Sequence, residues 1–252
     1  MKSIILRTEK LQKSFETDFG TQHIIKDITV DFYRGDFTVI MGESGTGKST
    51  LLYLLAGMDK PTSGNIFFDD ENLTDMSANR LASYRKKNCG FVFQHYCLIP
   101  GLTVMDNVLI SGLLCNNKKK QVIARAEELF EQVEISPVTA TKFPSQISGG
   151  RAQRVGIVRA LINSPELLFA DEPTGSLNSK ASKEVLDIFS HFNSVGQSVI
   201  MVTHDIKSAL RANRIIYLKD GRIAGELNLE PYTADTPERI AKTNEFLESM
   251  RW

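Results

Sequence analysis

The sequence has only three cysteines, Cys89, Cys97 and Cys115, which form neither a C-x-x-C pair nor an even-numbered disulfide framework. We therefore expect reduced thiols in a cytosolic protein and no zinc module. Long apolar runs are also lacking. The most apolar region, 97–115, is broken by proline, glycine and polar residues and falls short of the ~18 uninterrupted apolar residues of a membrane span. The apolar stretch at 4–6 is too short for a signal peptide, so any membrane contact is expected to come through a partner.

An excess of either charge is absent as well, because 30 basic and 30 acidic residues give a formal net charge of zero. The chain therefore has no overall attraction to nucleic acid, which we do not expect as a partner. The basic run at 118–120 is predicted to be a solvated loop rather than a phosphate-binding patch. Heptad runs, internal repeats and low-complexity tracts are lacking too. The 252 residues suit one large α/β domain, or one domain with an inserted subdomain.

A glycine-rich motif, G-x-x-x-x-G-K-S at 42–49, is the strongest signal in the chain. An apolar run at 37–41 leads into it and a helical pattern follows as far as Gly57, which is the order that a phosphate-binding loop requires. The glycines let backbone N–H groups turn inward around phosphate oxygens at a helix N-terminus. Lys48 is placed to reach the β- and γ-phosphates, and the Ser49 hydroxyl to ligate Mg²⁺. We predict that the chain binds a nucleoside triphosphate.

Strand and helix patterns place this loop in an α/β protein. Alternating side chains in the first 36 residues, as at Ile28, Val30 and Phe32, predict short strands in an antiparallel layer beside a parallel core. A C-terminal helix is predicted to begin at Thr236-Pro237, and a helical insertion is predicted at about 95–145. The remaining patterns predict strands at 65–68, 90–94, 167–172 and 198–203, a hairpin around 219–221, and helices at 73–87, 104–114, 122–133 and 151–161.

Polar side chains follow three of the predicted strands, at the ends where ligands of open α/β sheets collect. Gln94 is placed to contact Mg²⁺ or a catalytic water. Asp171 is placed to hold Mg²⁺ opposite Ser49, and Glu172 to polarise the attacking water. His204 is placed to donate a hydrogen bond to a γ-phosphate and so to sense its presence.

A second candidate anion site lies at Ser148-Gly149-Gly150, which opens the helix at 151–161. Ser148 is a good N-cap, and the glycines allow an anion to approach the helix end closely. An ordinary capped helix explains the same pattern, and the residues alone leave both interpretations open. Because the chain already has one phosphate loop, a second anion-binding helix end is explained if two identical chains pair head to tail, each closing the other's site.

In order and spacing, these segments resemble the ATP-binding-cassette ATPases, from about residue 4 to residue 227. The matching segments are the phosphate loop 42–50, Gln94, the signature segment 147–153, the acidic strand 167–172 and His204. The resemblance implies a single ATPase domain over 1–252 with the P-loop NTPase fold: a mostly parallel core sheet with an N-terminal antiparallel layer. It also implies a helical subdomain, from about 95–145 into the signature helix at 148–163, and a C-terminal extension at about 228–252.

The resemblance implies that two subunits sandwich two ATP molecules, with Lys48 and Ser49 of one facing Ser148 and Gly150 of the other. Glu172 is expected to be the catalytic base, with Gln94 and His204 completing the catalytic set. Mg²⁺ is expected on Ser49, Gln94 and Asp171. The nucleotide contacts are expected from Phe15, Gly42, Glu43, Ser44, Gly45, Thr46, Gly47, Lys48, Ser49, Thr50, Ser148, Gly149 and Gly150.

Phe15 has two interpretations, a core residue or an aromatic ring that stacks on a purine base. Its chemistry alone favours the core, because phenylalanine is usually buried. Members of the family commonly place an aromatic side chain against adenine at this position. The resemblance therefore implies stacking instead.

Three residues depart from the family pattern. Ile147 stands where leucine is usual, which conserves volume. Arg151 replaces the usual glutamine and brings a cation to the phosphate-facing helix end, where it could alter affinity. Asn178 replaces the usual aspartate and loses its charge, which could alter communication between the two sites. Because Glu172 and His204 are intact, hydrolysis is still expected.

The segment 93–108 is most similar to the exporter branch that includes lipoprotein-releasing, macrolide-exporting and antimicrobial-peptide transporters, and the C-terminal segment to the bacitracin-type group. The predicted function is therefore a Mg²⁺-dependent ATPase subunit that powers a separate permease from the cytoplasmic face of the cell membrane. Its predicted role is export of, or resistance to, antimicrobial peptides, or macrolide or lipoprotein handling. Two alternatives stay open: a non-transporting regulator of a membrane complex, and a soluble repair or ribosome-associated ATPase, which would be expected to carry coiled coils, zinc modules or a second cassette.

Overall fold

A computed structural model describes residues 2–18 and 20–252, and the chain divides into two compact units. The first unit comprises the residues up to Leu81 together with Phe192–Trp252, and the second comprises Ala82–His191. Both units contain strands and helices, so the predicted α/β class is confirmed. The predicted helical subdomain lies within the second unit, which also contains two strands. The limits of the helical subdomain, of the single ATPase domain and of the C-terminal extension stay predictions.

Strands open and helices close the described ranges, and a run of consecutive helices separates the strand that ends at Phe93 from the strand that begins at Leu167. In order they are β1 Ile4–Thr17, β2 Gly20–Tyr33, β3 Phe37–Met41, α1 Lys48–Leu55, β4 Ser63–Phe68, β5 Glu71–Asn72, α2 Ala78–Asn88, β6 Cys89–Phe93, α3 Val104–Cys115, α4 Lys119–Gln132, α5 Pro137–Ala140, a 3₁₀ turn Pro144–Gln146, α6 Gly149–Leu161, β7 Leu167–Asp171, α7 Ser179–Ser194, β8 Ser198–Val202, α8 Ile206–Ala209, β9 Arg214–Lys219, β10 Arg222–Asn228 and α9 Pro237–Ser249.

An antiparallel sheet with the strand order β2-β1-β4-β5 forms one layer of the first unit. The prediction of short strands in this region is wrong, because β1 and β2 each run for 14 residues. Their register shifts between Thr8 and Leu11, where Lys10 has a φ of 48°. Such bulges interrupt the alternation of side chains without ending the strand, which explains why the pattern suggested shorter elements.

The first unit also contains strands in the order β10-β9-β3-β8, in which β3 pairs in parallel with both β8 and β9. All five residues of β3 are buried, as expected for a strand covered on both faces. The predicted hairpin between β9 and β10 is confirmed, and its turn residues Asp220 and Gly221 have φ of 50° and 77°. Because β3, β8 and β9 are parallel, their carboxyl ends meet at one edge of the sheet.

The second unit is built on the parallel pair β6 and β7. The α6 helix packs against β6, and α3 and α4 pack against α6. Phe91 stacks against both Phe93 and Phe169, with ring centroids 5.5 and 5.2 Å apart. The helices predicted at 104–114, 122–133 and 151–161 are confirmed as α3, α4 and α6. The basic run at 118–120 is exposed as predicted, but it is not a loop, because its last two residues begin α4.

The helix predicted at 73–87 begins later, at Ala78, as α2. The preceding residues instead bond to β4: Leu73 N donates to Ile66 O at 2.8 Å, and Thr74 Oγ1 accepts from Ile66 N at 3.0 Å. Thr74 N also donates to Asn72 Oδ1 at 3.0 Å. These local side-chain bonds compete with helix formation, which explains the late start.

The predicted C-terminal helix is confirmed as α9. Thr236 caps it by accepting a hydrogen bond from Arg239 N at 3.2 Å, and Pro237 is its first residue. Arg239 is buried and donates to the carbonyls of Leu210, Ala212 and Glu230, which docks the helix on its own unit. The three cysteines are free thiols. No helix within 2–18 or 20–252 is long and apolar enough to cross a membrane.

Candidate functional site

The backbone of the phosphate loop 42–50 takes conformations that favour glycine. Gly42, Gly45 and Gly47 have φ of 154°, 82° and 98°. A Cβ on Gly42 would lie 2.2 Å from Leu218 O, and one on Gly47 would lie 2.9 Å from Ile24 Cγ2. The loop backbone is therefore packed directly against β9 and β2, which leaves no room for side chains at these two positions.

The ammonium group of Lys48 is enclosed by this loop. Lys48 is 7% exposed, and its Nζ donates to the carbonyls of Gly42 and Glu43, both at 2.8 Å. Thr46 Oγ1 donates to the same Glu43 carbonyl at 2.9 Å. The positive charge of Lys48 is thus held over the loop by backbone carbonyls, where the sequence predicts it to meet the β- and γ-phosphates.

The N-terminus of α1 opens onto the loop without a side-chain cap. Its N-cap residue is Gly47, which has no side chain to accept from the N–H groups of the first turn. Those backbone donors, together with the helix dipole, favour an anion at this point. Glycine positions that a Cβ would fill, an enclosed ammonium group and an uncapped helix end fit the phosphates of a nucleotide.

His204 lies at the same edge of the sheet as the phosphate loop. Thr203 follows β8, and its N–H donates to Ile40 O of β3 at 3.2 Å. The His204 side chain comes next in the chain and is exposed. Asp205 N donates to Thr203 Oγ1 at 3.0 Å, which fixes the turn around the histidine. The first unit therefore brings His204 and the phosphate loop to one edge, as their position after parallel strands predicts.

Tyr217 lies on the strand next to the one that leads into the loop, and sequence reasoning missed it because β9 gave only a hairpin signal. It pairs in register with Met41, the residue before the loop, and is 1% exposed. Burial, and then the nearby Glu43 carboxylate, raise the pKa of the Tyr217 phenol above its ordinary value. The phenol therefore ionises less readily than that of an exposed tyrosine.

Phe15 is exposed, so the prediction of a core residue from its chemistry alone is wrong. It lies on β1 opposite Gln22 of β2, and 43% of it is exposed. Lys13 Nζ lies 4.8 Å from the centroid of its ring. The ring is carried by the same hairpin that packs Ile24 against the phosphate loop. An exposed aromatic ring in this place is compatible with base stacking, which stays a prediction.

In the second unit, Gln94 and Glu172 follow the paired ends of two parallel strands. Phe93 lies opposite Asp171 in the register of β6 and β7, so the next residue of each chain segment leaves the sheet at the same edge. Gln94, Asp171 and Glu172 are all half-buried. The structure therefore brings these three predicted residues together at the carboxyl ends of their strands.

The turn after β7 has a strained start and is packed against Gln94. Glu172 has a φ of 45°, a left-handed conformation that costs about 1–3 kcal/mol in a residue other than glycine. The turn is closed by a hydrogen bond from Gly175 N to Glu172 O at 3.0 Å. A Cβ on Gly175 would lie 2.8 Å from Gln94 Nε2, so the glutamine amide packs directly on the turn that carries Glu172.

The signature segment begins α6 with a capped first turn. Ser148 Oγ accepts a hydrogen bond from Arg151 N at 3.4 Å, which makes Ser148 the N-cap. A Cβ on Gly149 would lie 2.4 Å from Tyr96 Oη, and one on Gly150 would lie 2.9 Å from Ala181 Cβ. Packing within the chain thus accounts for both glycines and the cap. The role of this helix end in binding ATP stays a prediction.

Two of the departures from the family pattern have clear structural settings. Asn178 Oδ1 accepts a hydrogen bond from Ala181 N at 2.9 Å and caps α7, a position where asparagine and aspartate serve equally well. Arg151 is exposed at the start of α6. The amide at 178 therefore keeps the local fold without the negative charge.

Sequence reasoning includes Gln153 in the signature segment without a role of its own, and it does not single out Tyr96. Gln153 is fully buried on α6 and bonds to the backbone around Gln94 and Glu172. Arg159 donates to Tyr96 O at 2.9 Å and to Cys97 O, and burial lowers the pKa of its guanidinium below the ordinary value. A polar residue among the buried apolar positions of a helix was the available signal for Gln153.

The predicted magnesium ligands have the chemistry of a nucleotide-bound cation. Ser49, Gln94 and Asp171 offer a hydroxyl, an amide and a carboxylate oxygen, which are hard ligands suited to Mg²⁺. Within 2–18 and 20–252, no cluster of three or more histidine, cysteine, aspartate or glutamate side chains could hold a metal. This donor set fits Mg²⁺ that is held largely by phosphates and water rather than by an all-protein cage.

The amino-acid sequence matches one protein family and several curated relatives that agree with one another. The model of the family described as ABC transporter matches residues 25–175. A lipoprotein-releasing system ATP-binding protein, LolD, of Aquifex aeolicus is 41% identical over 223 residues, which cover 88% of this chain and 97% of that protein. A macrolide export ATP-binding/permease protein, MacB, of Mannheimia succiniciproducens is 39% identical over 227 residues. That match covers 90% of this chain but only 35% of the relative, so the chain spans about a third of the length of such relatives.

Solved structures give matches of the same kind. A bacterial ABC transporter cassette solved as a dimer has a TM-score of 0.84 and 35% identity, and covers 90% of this chain and 100% of that one. A dimeric ATP-binding cassette in a post-hydrolysis state, bound to ADP and Pi, has a TM-score of 0.83 and 34% identity with the same coverage. CbiO1 of Clostridium perfringens, part of an ABC transporter complex, has a TM-score of 0.81 and 26% identity and covers 99% of this chain and 95% of that one.

Proposed function

Because the chain belongs to the ABC transporter family, as an ATP-binding and ATP-hydrolysing cassette, we propose that it powers a separate membrane permease. The resemblance to the lipoprotein-releasing and macrolide-exporting branch is confirmed by the relatives. Membership of the bacitracin-type group, and antimicrobial peptides as the substrate, stay predictions. In this proposal the chain acts at the cytoplasmic face of the membrane, held there by its permease.

The observation that carries the proposal is the pairing of Phe93 with Asp171, which places Gln94 and Glu172 just beyond one edge of the strand pair. A carboxylate at such a position can accept a proton from the attacking water, and we assign this role to Glu172. Asp171 and Gln94 are assigned to Mg²⁺, which, when bound with ATP, neutralises charge on the phosphates. Strain at Glu172 supports the assignment, because strained backbone clusters at functional sites.

In the first unit, Lys48 and the loop N–H groups are assigned to the phosphates, and Ser49 to Mg²⁺. His204 is assigned to the γ-phosphate, and Phe15 to the base. The support is the conformation of the loop, in which glycine positions and an uncapped helix end leave room for an anion.

We further propose that two copies of the chain pair head to tail around ATP, with Ser148 and Gly150 of one completing the site of the other. The solved dimeric cassettes that resemble this chain support a dimer. In such a pair the ATP-bound form is closed, and hydrolysis releases it, so ATP shifts the population between two arrangements. The permease would receive this change through the helices of the second unit.

Purification from detergent-solubilised membranes of the source cell tests the proposal. A tagged chain is expected to recover an integral membrane protein, identified by mass spectrometry, and the complex is expected to hydrolyse ATP in the presence of Mg²⁺. Recovery only with DNA or ribosomes would support the soluble alternative. Recovery of a membrane complex that moves no substrate in vesicles, while ATP turnover is intact, would support the regulatory alternative.

A further inference from the structure

One side chain in the second unit contacts both segments that carry the proposed catalytic groups. Gln153 lies on α6 and is 0% exposed. Its Nε2 donates to Phe93 O at 3.0 Å and to Pro173 O at 2.7 Å. Phe93 immediately precedes Gln94, and Pro173 immediately follows Glu172. A single amide group therefore joins the ends of β6 and β7 on the residues next to the two functional side chains.

The side-chain amide of Gln153 uses its hydrogen-bond donors but not its acceptor, which does not favour the stability of the folded state. Both N–H donors of the amide are used, but Oε1 is buried and has no hydrogen-bond partner among residues 2–18 and 20–252. A buried acceptor without a partner destabilises the folded state, whereas an apolar side chain of similar shape would avoid that cost. The two donated bonds, rather than general packing, are therefore the distinctive contribution of this side chain.

The two carbonyls that Gln153 holds belong to segments that also contact each other. Gln94 packs on Gly175, and Gly175 N bonds to Glu172 O across the strained turn. A left-handed residue such as Glu172 persists only when its surroundings fix it. The bond from Gln153 to Pro173 O fixes the turn from one side, and the bond to Phe93 O fixes the start of the Gln94 segment.

We propose that Gln153 is a positioning residue for ATP hydrolysis, which sets the placement of Gln94 relative to Glu172. The inference rests on the proposed function of those two residues. Gln153 bonds to the backbone next to these two residues and has no proposed contact with nucleotide. Its loss is therefore expected to change the rate of the chemical step and to leave ATP binding intact, since errors of about 1 Å at reacting groups can cost of the order of 100-fold in rate.

Gln153→Glu is the sharpest test, because it preserves shape but turns the donor amide into a carboxylate that faces two carbonyl oxygens. At pH 8 we expect kcat to fall by about ten-fold or more and KM for ATP to stay within about two-fold of wild type. A protonated carboxyl group can again donate one hydrogen bond, and burial raises the pKa of such a group. The ratio of variant kcat to wild-type kcat is therefore expected to rise as the pH is lowered from 8.5 to 5.5.

Gln153→Met supplies the second measurement, since it removes both donors without adding charge. Its kcat is expected to fall by about ten-fold or more, with KM unchanged and with the pH profile parallel to that of wild type. Gln132→Glu, at an exposed position on α4, is the matched control and should leave kcat and its pH profile unchanged. The melting temperature and the Kd for a fluorescent ATP analogue are measured for each variant, to show that it is folded.

The outcomes separate the inference from the function on which it rests. Absence of Mg²⁺-dependent turnover in the wild type would overturn the proposed function. Normal turnover in the wild type together with wild-type kcat in either folded Gln153 variant would overturn the positioning role alone. A uniform loss of kcat and nucleotide binding, or failure of both variants to fold, would also overturn it, because Gln153 would then act through general stability.

Discussion

Phe93 lies directly opposite Asp171 in the parallel pairing of β6 and β7. This relationship places Gln94 and Glu172, which are 78 positions apart in the chain, after the paired ends of neighbouring strands. The proposed functional grouping therefore depends on strand register, because a slip of one residue in either strand would bring different residues to the paired ends. The buried amide of Gln153 and the close contact between Gln94 and Gly175 then hold the two ends together.

The first prediction concerns the proposed base. Glu172→Gln keeps the size of the side chain but removes its ability to accept a proton, so the steady-state turnover of ATP should fall by about 100-fold or more. The Kd for ATP, measured with a fluorescent analogue, should stay within about two-fold of wild type, because only the transition state is affected. Glu131→Gln, on the exposed face of α4, is the control. Unchanged turnover in the Glu172 variant would remove this residue from its assigned role.

The second prediction concerns the phosphate loop. Gly42→Ala would place a Cβ 2.2 Å from Leu218 O, a backbone atom that cannot move aside without shifting β9. We expect a loss of stability of about 1–3 kcal/mol and a loss of nucleotide binding, because the loop must leave its present path. Gly101→Ala is the matched control, since nothing lies within 4 Å of its added Cβ. Urea denaturation and nucleotide titration measure the two effects. Wild-type binding in the Gly42 variant would contradict the close packing of the loop against Leu218 O.

The sequence was sufficient to predict those parts of the site that depend on local pattern. The phosphate loop is encoded by closely spaced glycines followed by Lys48. The side chains at strand ends are encoded by an apolar run with a polar end, as at Asp171. The cap at Ser148 and the hairpin at Asp220-Gly221 are also local, and the structure contains both.

Features that depend on distant contacts could not be predicted in this way. Gln153 bonds to carbonyls 60 and 20 positions away, and a single glutamine in a helix carries no sign of such partners. Phe15 is exposed because β1 runs past the buried part of its sheet, whereas composition alone assigns phenylalanine to the core. The bulge at Lys10 hid the length of β1, because alternation stops where a residue is inserted.

The third prediction concerns the reactivity of the three thiols. Burial raises the pKa of the Cys89 thiol to about 12, whereas Cys97 and Cys115 are exposed. The thiolate is the reactive form, so at pH 8 iodoacetamide should label Cys97 and Cys115 and leave Cys89 unlabelled in the folded protein. Peptide mass spectrometry with and without urea measures this directly. Cys89 is half-buried, so labelling of it in the native protein at the rate of the other two would contradict the raised pKa of its thiol.

The fourth prediction concerns the cap of α7. Asn178→Ala removes the acceptor of the hydrogen bond from Ala181 N and should lower the free energy of unfolding by about 1 kcal/mol. Asn178→Asp retains the acceptor and places a negative charge at a helix N-terminus, so its stability should equal or exceed that of wild type. Urea denaturation of the three proteins checks the order. Equal stability of the alanine variant and the wild type would show that the bond does not contribute.

The last prediction concerns the role of the signature helix in a second copy of the chain. Ser148→Arg puts a long cationic side chain where the partner's phosphates are proposed to lie, so ATP binding by the monomer should be spared and ATP-dependent dimerisation lost. The substitution also removes the cap that bonds to Arg151 N, an effect of about 1 kcal/mol that Ser148→Ala reproduces alone. Ser145→Arg, exposed in the 3₁₀ turn that precedes α6, controls for the added charge.

Dimerisation is measured by analytical ultracentrifugation with ATP in the Glu172→Gln background, in which hydrolysis cannot dissolve the pair. The Ser148→Ala and Ser145→Arg proteins should dimerise, because neither a lost cap nor a charge at position 145 obstructs the proposed contact with the partner's nucleotide. If Ser148→Arg dimerises as they do, α6 does not face a nucleotide in the partner. Its glycines would then be explained by Tyr96 and Ala181 within the same chain, and the phosphate loop would have to be completed by other groups.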